Sequence, residues 1–122
     1  MSLNKVMLIG NLGQDPIVRY LESNRVVCNF SIATNEYYLD KNGEKKVETE
    51  WHSIEAWDQL AKNLEQLFIK GYLKKGTQVY VEGRIRSETL KDKSGMEVQR
   101  KKIKASNVQF LNLPKDTERE KT

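Results

Sequence analysis

Glu48-Thr49-Glu50-Trp51-His52-Ser53-Ile54-Glu55-Ala56-Trp57 is the stretch on which the fold turns. Side chains alternate across a β-strand, so His52, Ile54 and Ala56 share one face while Thr49, Trp51, Ser53, Glu55 and Trp57 share the other. Two tryptophans six residues apart therefore project from the more polar side of one strand, unless a bulge intervenes. Aromatic rings on a wetted face are unusual. They either meet a ligand or fill a subunit interface or cover a helix.

The flanking segments continue the pattern. Downstream, Asp58 reads as an N-cap before Leu60, Leu64, Leu67 and Phe68, an apolar stripe at helical spacing that stops near Lys70-Gly71. Upstream, Tyr37 to Lys46 reads as a long, polar, basic and mobile hairpin loop around Asn42-Gly43, the strongest short turn signal. Before it, Val26, Cys28, Phe30 and Ile32 alternate with Asn29, Ser31 and Asn35 as a half-buried strand. Cys28 lies on its inner face as a small buried hydrophobe.

Near the N-terminus, Val6-Met7-Leu8-Ile9 is an apolar run typical of a strand covered on both faces, by a second layer or a partner subunit. Ile17 to Leu21 is a short strand between turns. After Lys74-Lys75-Gly76, Val79, Val81 and Ile85 point inward, with Gln78, Tyr80, Glu82, Arg84 and Arg86 outward and Gly83 allowing a bend. Lys91 to Gly95 closes a second hairpin. The return strand, Met96 to Ala105, shifts its alternation between Val98 and Ile103 as a bulge would, and Val108, Phe110 and Leu111 complete the core. The order is three strands, a helix and two more strands, without internal repeats. An all-β, five-stranded Greek-key barrel with one α-helix between strands 3 and 4 is the economical solution, because closure hides sheet edges. The oligonucleotide/oligosaccharide-binding (OB) barrel has this order. Residues 1–113 form the domain, and residues 114–122, charged and aperiodic, read as a disordered tail.

Composition narrows the function. A chain of 122 residues with 38% hydrophobic and 31% charged residues has room for one domain of roughly 100–150 residues. One cysteine and one histidine preclude an internal disulfide and a multi-histidine metal site. No apolar stretch approaches the roughly 18 residues of a membrane helix, and no secretory signal is recognisable, so the chain reads as cytoplasmic. Charge is uneven. Residues 1–68 carry seven basic and ten acidic groups, a net −3, whereas residues 69–104 carry eleven basic and four acidic groups, a net +7. Such a field attracts polyanions.

Catalysis finds little support. His52 is alone, Glu50 and Glu55 form no recognisable dyad with it, and neither Gly10-Asn11-Leu12-Gly13 nor the Gly71 to Gly76 turn matches a P-loop or dinucleotide fingerprint. No cofactor is called for and the chain is read as a non-enzyme. Exposed aromatics beside arginines suit single-stranded nucleic acid, whose unpaired bases offer faces that a duplex hides. Trp51 and Trp57, Tyr37 or Tyr38, and Arg84 and Arg86 compose such a surface.

The segments Asn4 to Pro16, Val18-Arg19-Tyr20, Ile32 to Glu36, Thr49-Glu50-Trp51-His52 and Lys75 to Gly83 closely resemble the bacterial single-stranded DNA-binding protein family, in order from residue 4 to about 111. That family is itself the type example of stacking in an electrostatic groove, and the roughly 1–3 kcal/mol per stacked base is its own magnitude. The resemblance implies an OB barrel that binds single-stranded DNA without sequence preference in replication, recombination and repair. It also implies a homotetramer, with a dimer as the alternative, acting in the cytoplasm on the nucleoid. Trp51 and Trp57 fall on base-contacting aromatic positions and Tyr38 on that of a stacker in the loop. Lys74, Lys75 and Arg86 match basic positions, Arg84 lies beside them, and Lys41, Lys45 and Lys46 sit in the loop that folds over the strand. His52 falls on a position linked to subunit association.

Two departures stand out. Where the family commonly has a second arginine and then a tryptophan, this chain has Glu88-Thr89-Leu90, which implies weaker binding or a shorter footprint. Leu113 to Thr122 is neutral, so recruitment of repair enzymes through an acidic tip is not expected of it. These departures favour the alternative, a replication-accessory interaction module on an OB barrel with weak nucleic-acid binding.

Overall fold

A computed structural model describes residues 1–114. The strands are β1 (Val6–Leu12), β2 (Ile17–Tyr20), β3 (Val26–Leu39), β4 (Lys45–Trp57), β5 (Gln78–Lys91) and β6 (Glu97–Asn112), with one α-helix among the described residues, α1 (Asp58–Ile69), between β4 and β5. They form one sheet in the order β1-β5-β6-β4-β3-β2, and β1 also pairs with β3, which closes β1, β5, β6, β4 and β3 into a five-stranded barrel. Counted with the short β2, which lies on the edge of β3, the helix follows the fourth strand rather than the third.

Closure depends on a small residue at the crossing. A β-carbon on Gly10 would come within 2.5 Å of the Ala33 carbonyl oxygen, so β1 can approach β3 this closely only where a side chain is missing. Inside lie Cys28, Phe30 and Ile32 of β3, Ile54 and Ala56 of β4, Val79 and Val81 of β5 and Ile103 of β6. The helix closes the base by burying Ala61 and Leu64, and burying one such leucine fully stabilises the fold by roughly 1.5–3 kcal/mol.

Several local expectations are corrected. Asp58 is the first helical residue, at φ 54°, and caps no helical N–H; its carboxylate accepts hydrogen bonds from Arg25 Nε at 3.0 Å and from the Val26 N–H instead. The expected loop from Tyr37 to Lys46 is mostly strand, because β3 and β4 pair out to Leu39–Lys45 and only Asp40 to Glu44 turns. On β6 no shift falls between Val98 and Ile103. Pairing with β5 runs unbroken from Lys91–Glu97 to Gly83–Ala105, and the irregularities come later, opposite Glu82/Gly83 and Gln78/Val79. Ile85 keeps its inward parity but is 48% exposed, since β5 and β6 extend past the barrel there, and Leu111 is exposed as well. Met7 and Ile9, expected to be covered, are open in the single chain. Pro114 is half-buried against Gly76, and the rest of the expected tail lies outside the described residues.

Candidate nucleic-acid interface

Residues directly opposite in an antiparallel pair point to the same side, so the β3–β4 register sorts the candidates without ambiguity. Ala33 faces Trp51, Ser31 faces Ser53, Asn29 faces Glu55 and Val27 faces Trp57; toward the hairpin, Asn35 faces Thr49 and Tyr37 faces Val47. One surface therefore carries Tyr37, Trp51, Ser53, Glu55 and Trp57. Trp51 is 59% exposed, and its benzo edge rests on Gly13. Tyr37 is open, with the Lys45 ammonium 5.1 Å from its ring centroid.

Tyr38 faces Lys46 on the opposite side, beyond Thr34, Glu36, Glu48, Glu50 and His52. Of the two adjacent tyrosines, Tyr37 is the one that shares a surface with Trp51. Trp57 does not project into solvent as expected. It is half-buried, its indole N–H is buried without a partner, and the Arg25 guanidinium covers its ring at 4.8 Å.

The same reasoning assembles the charge. Across β5 and β6, Arg84 faces Lys104, Arg86 faces Lys102, Glu88 faces Arg100 and Leu90 faces Val98. This column joins the tryptophan surface through Glu55, a buried carboxylate that accepts a hydrogen bond from Arg86 Nη1 at 2.7 Å and lies 4.0 Å from Lys102 Nζ. Lys102 Nζ is also 2.8 Å from Glu88, whose carboxyl it holds below its ordinary value by hydrogen bonding and charge. Between the two halves runs an open groove of about 590 Å³, lined in part by Arg19, Asn29, Ser31, Ser53, Arg100 and Lys102.

Arg19, Arg100 and Lys102, which line this groove, and Lys104, which shares the face of the column, are not among the residues singled out from the sequence. The run Arg100-Lys101-Lys102 with Lys104 was visible as charge, but the expected bulge before Ile103 left the facing of these residues undetermined. Lys41 sits in the Asp40–Glu44 turn, where Asp40 accepts from the N–H groups of Asn42 and Glu44, and Lys46 is 3.5 Å from Glu44. Lys74 and Lys75 lie in the loop before β5, tied to the loop after β1 by the Lys75 N–H, which donates to Asp15 Oδ1 at 2.8 Å.

Away from this face, His52 Nε2 is 2.9 Å from Thr34 Oγ1 and borders a shallow groove with Met7 and Ile9. Cys28 is fully buried and its thiol is pushed up to about 11 by that burial. Among the described residues no group of three His, Cys, Asp or Glu side chains could hold a metal ion, and no helix is long and apolar enough to cross a membrane.

Residues 3–111 match the model of the single-strand binding protein family. Curated relatives in Neisseria meningitidis serogroups A and B, each named single-stranded DNA-binding protein, are 48% identical over 111 residues; the match covers 91% of this chain but 61% of each relative. A solved structure described as the Plasmodium falciparum SSB complex with ssDNA is similar at a TM-score of 0.77 and 38% identity, covering 92% of this chain and 97% of that one. The single-stranded DNA binding protein of Thermus aquaticus, in a deletion mutant, shares the fold at a TM-score of 0.74 and 23% identity, over 90% of this chain and 51% of that one.

Proposed function

Because the chain belongs to the single-strand binding protein family, we propose that it binds single-stranded DNA without sequence preference and protects it during replication, recombination and repair, without catalysing a reaction. The observation that carries this reading is the continuity of one surface from Tyr37 and Trp51, across Ser53, to the cationic column of β5 and β6. Bases stack on the exposed rings while guanidinium and ammonium groups neutralise the phosphates between them.

In this reading residues 1–113 are the binding domain. Trp51 and Tyr37 supply the stacking platforms. Arg84, Arg100 and Lys104 line the backbone path with Arg86, and Lys45, Lys41, Lys74 and Lys75 guide the strand from the flanking turns. Trp57, under Arg25, bounds the far end, while Tyr38 and Lys46 reach DNA only where the strand wraps around the hairpin. The exposed Met7 and Ile9 beside His52 support assembly into a homo-oligomer, a tetramer or a dimer, which would cover them. The site of action is the cytoplasm, on the nucleoid.

The test is tryptophan fluorescence titrated with poly(dT) at low and high salt, with a duplex control. Strong quenching by poly(dT) alone, relieved by salt as counterion release requires, supports the reading. No quenching by any polynucleotide overturns it in favour of an accessory module that binds protein.

A further inference from the structure

The cationic column contains a single carboxylate. Arg84, Arg86, Lys104, Lys102 and Arg100 share its face, and Glu88 stands among them opposite Arg100. Glu88 is partly exposed, and its pairing takes up the ammonium of Lys102, the least exposed cation of the central pair. Arg86 is engaged in turn by Glu55, which is only 5% exposed. Two carboxylates thus cancel two cations where the column meets the tryptophan surface. The two pairings differ in kind. Glu55 is buried and holds Arg86 at 2.7 Å, so it fixes the guanidinium in place and cannot swing away. Glu88 is 38% exposed beside Lys102, where an incoming phosphate can displace it.

We propose, resting on the single-stranded DNA reading above, that Glu88 is a built-in competitor for phosphate: it occupies Lys102 in the free protein and must give it up when DNA enters. The competition lowers affinity, hastens release and removes about one phosphate contact from the salt dependence. The chain then trades tight binding for rapid exchange of the strand, with Glu88 as the affinity-determining residue.

Glu88→Gln keeps the side chain's size and removes its charge. The control is Glu97→Gln, which changes net charge equally from the opposite face of the same hairpin. Titrating the whole chain with poly(dT) across a salt series, Glu88→Gln is expected to bind about fivefold more tightly at low salt. Its plot of log affinity against log salt should steepen by about 0.7, one additional phosphate on a single strand. In a Lys102→Gln background the gain should vanish, a readout that a merely structural role for Glu88 would not give. Wild-type binding with equal affinities and slopes for the two single variants, or a gain that survives loss of Lys102, overturns the proposal while leaving the DNA reading intact. Absence of poly(dT) binding by wild type and Glu88→Gln alike overturns both.

Discussion

The benzo edge of Trp51 is seated on Gly13: a β-carbon on Gly13 would come within 2.5 Å of the indole Cζ3 and 2.8 Å of Cη2. The Gly13 N–H also donates to the Ser31 carbonyl at 3.1 Å, which ties the loop after β1 to the strand beside Trp51. The backbone at Gly13 lies outside the left-handed region, so alanine meets no conformational objection and the ring must yield, with Ser31 Oγ also close at 3.3 Å. Gly13→Ala is expected to tilt the indole and weaken poly(dT) binding by roughly tenfold, about 1.4 kcal/mol of stacking, with little change in Tm. A Trp57→Phe background isolates the Trp51 signal. Unaltered emission and affinity would mean that the seat does not set the ring.

Register separates two neighbouring tyrosines that composition cannot. Tyr37 shares the Trp51 surface and Tyr38 does not. Trp51→Ala should cost about 1–3 kcal/mol in poly(dT) binding, and Tyr37→Ala a value toward the lower end of that range, because its ring is also engaged by Lys45. Tyr38→Ala should fall within experimental scatter at a footprint of one strand. Filter binding at fixed salt ranks the three, and a loss at Tyr38 exceeding that at Tyr37 would place the strand on the other side of the hairpin.

The barrel was legible in the sequence because its determinants are local. Alternation from Val26 to Ile32 and from Val79 to Val81, the stripe of Leu60, Leu64 and Leu67, and the Asn42-Gly43 turn each follow from the period of one element. The site was legible only in part, since it depends on pairings between strands. The half-burial of Trp57 depends on Arg25, more than 30 positions away, while the choice of Tyr37 over Tyr38 and the facing of Arg100, Lys102 and Lys104 are set by the register between paired strands. Asp58 shows the same limit. A residue of capping type at a helix start was drawn away by Arg25, a competitor that no local window contains.

That competitor gives a pH prediction. The hydrogen bond from Arg25 foremost, with that from the Val26 N–H, holds the Asp58 carboxyl below its ordinary value of 3.8. The fold therefore favours the charged form, so the contribution is complete well above pH 3.8 and is lost as pH falls through the depressed value. Glu82, held down by Lys5, and Glu88, held down by Lys102, act in the same direction from 4.5. Tm should be flat near neutrality and drop below about pH 4.5. Asparagine tolerates the left-handed backbone at φ 54°, so Asp58→Asn tests the charge alone. It should lower Tm at about pH 7, with the gap to wild type narrowing as pH falls through the depressed value of the Asp58 carboxyl. A gap of constant size across that range would assign the effect to packing.

Leu90 faces Val98 at the outer end of the cationic column, on the side that carries Arg86 and Lys102, and it is 37% exposed. An aliphatic side chain there offers bases no stacking surface. A tryptophan at this position would extend the face that carries Arg86, Lys102 and Arg100 with an aromatic ring. Leu90→Trp should therefore tighten poly(dT) binding by up to about tenfold and lengthen the occluded site, because each added stacking platform contributes roughly 1–3 kcal/mol less the cost of ordering another nucleotide. The new indole should itself be quenched on binding, which separates contact with a base from indirect stabilisation of the hairpin. An unchanged affinity with no additional quenching would show that the strand leaves the protein before reaching the β5–β6 turn, and would shorten the proposed path to the stretch between Tyr37 and Arg100.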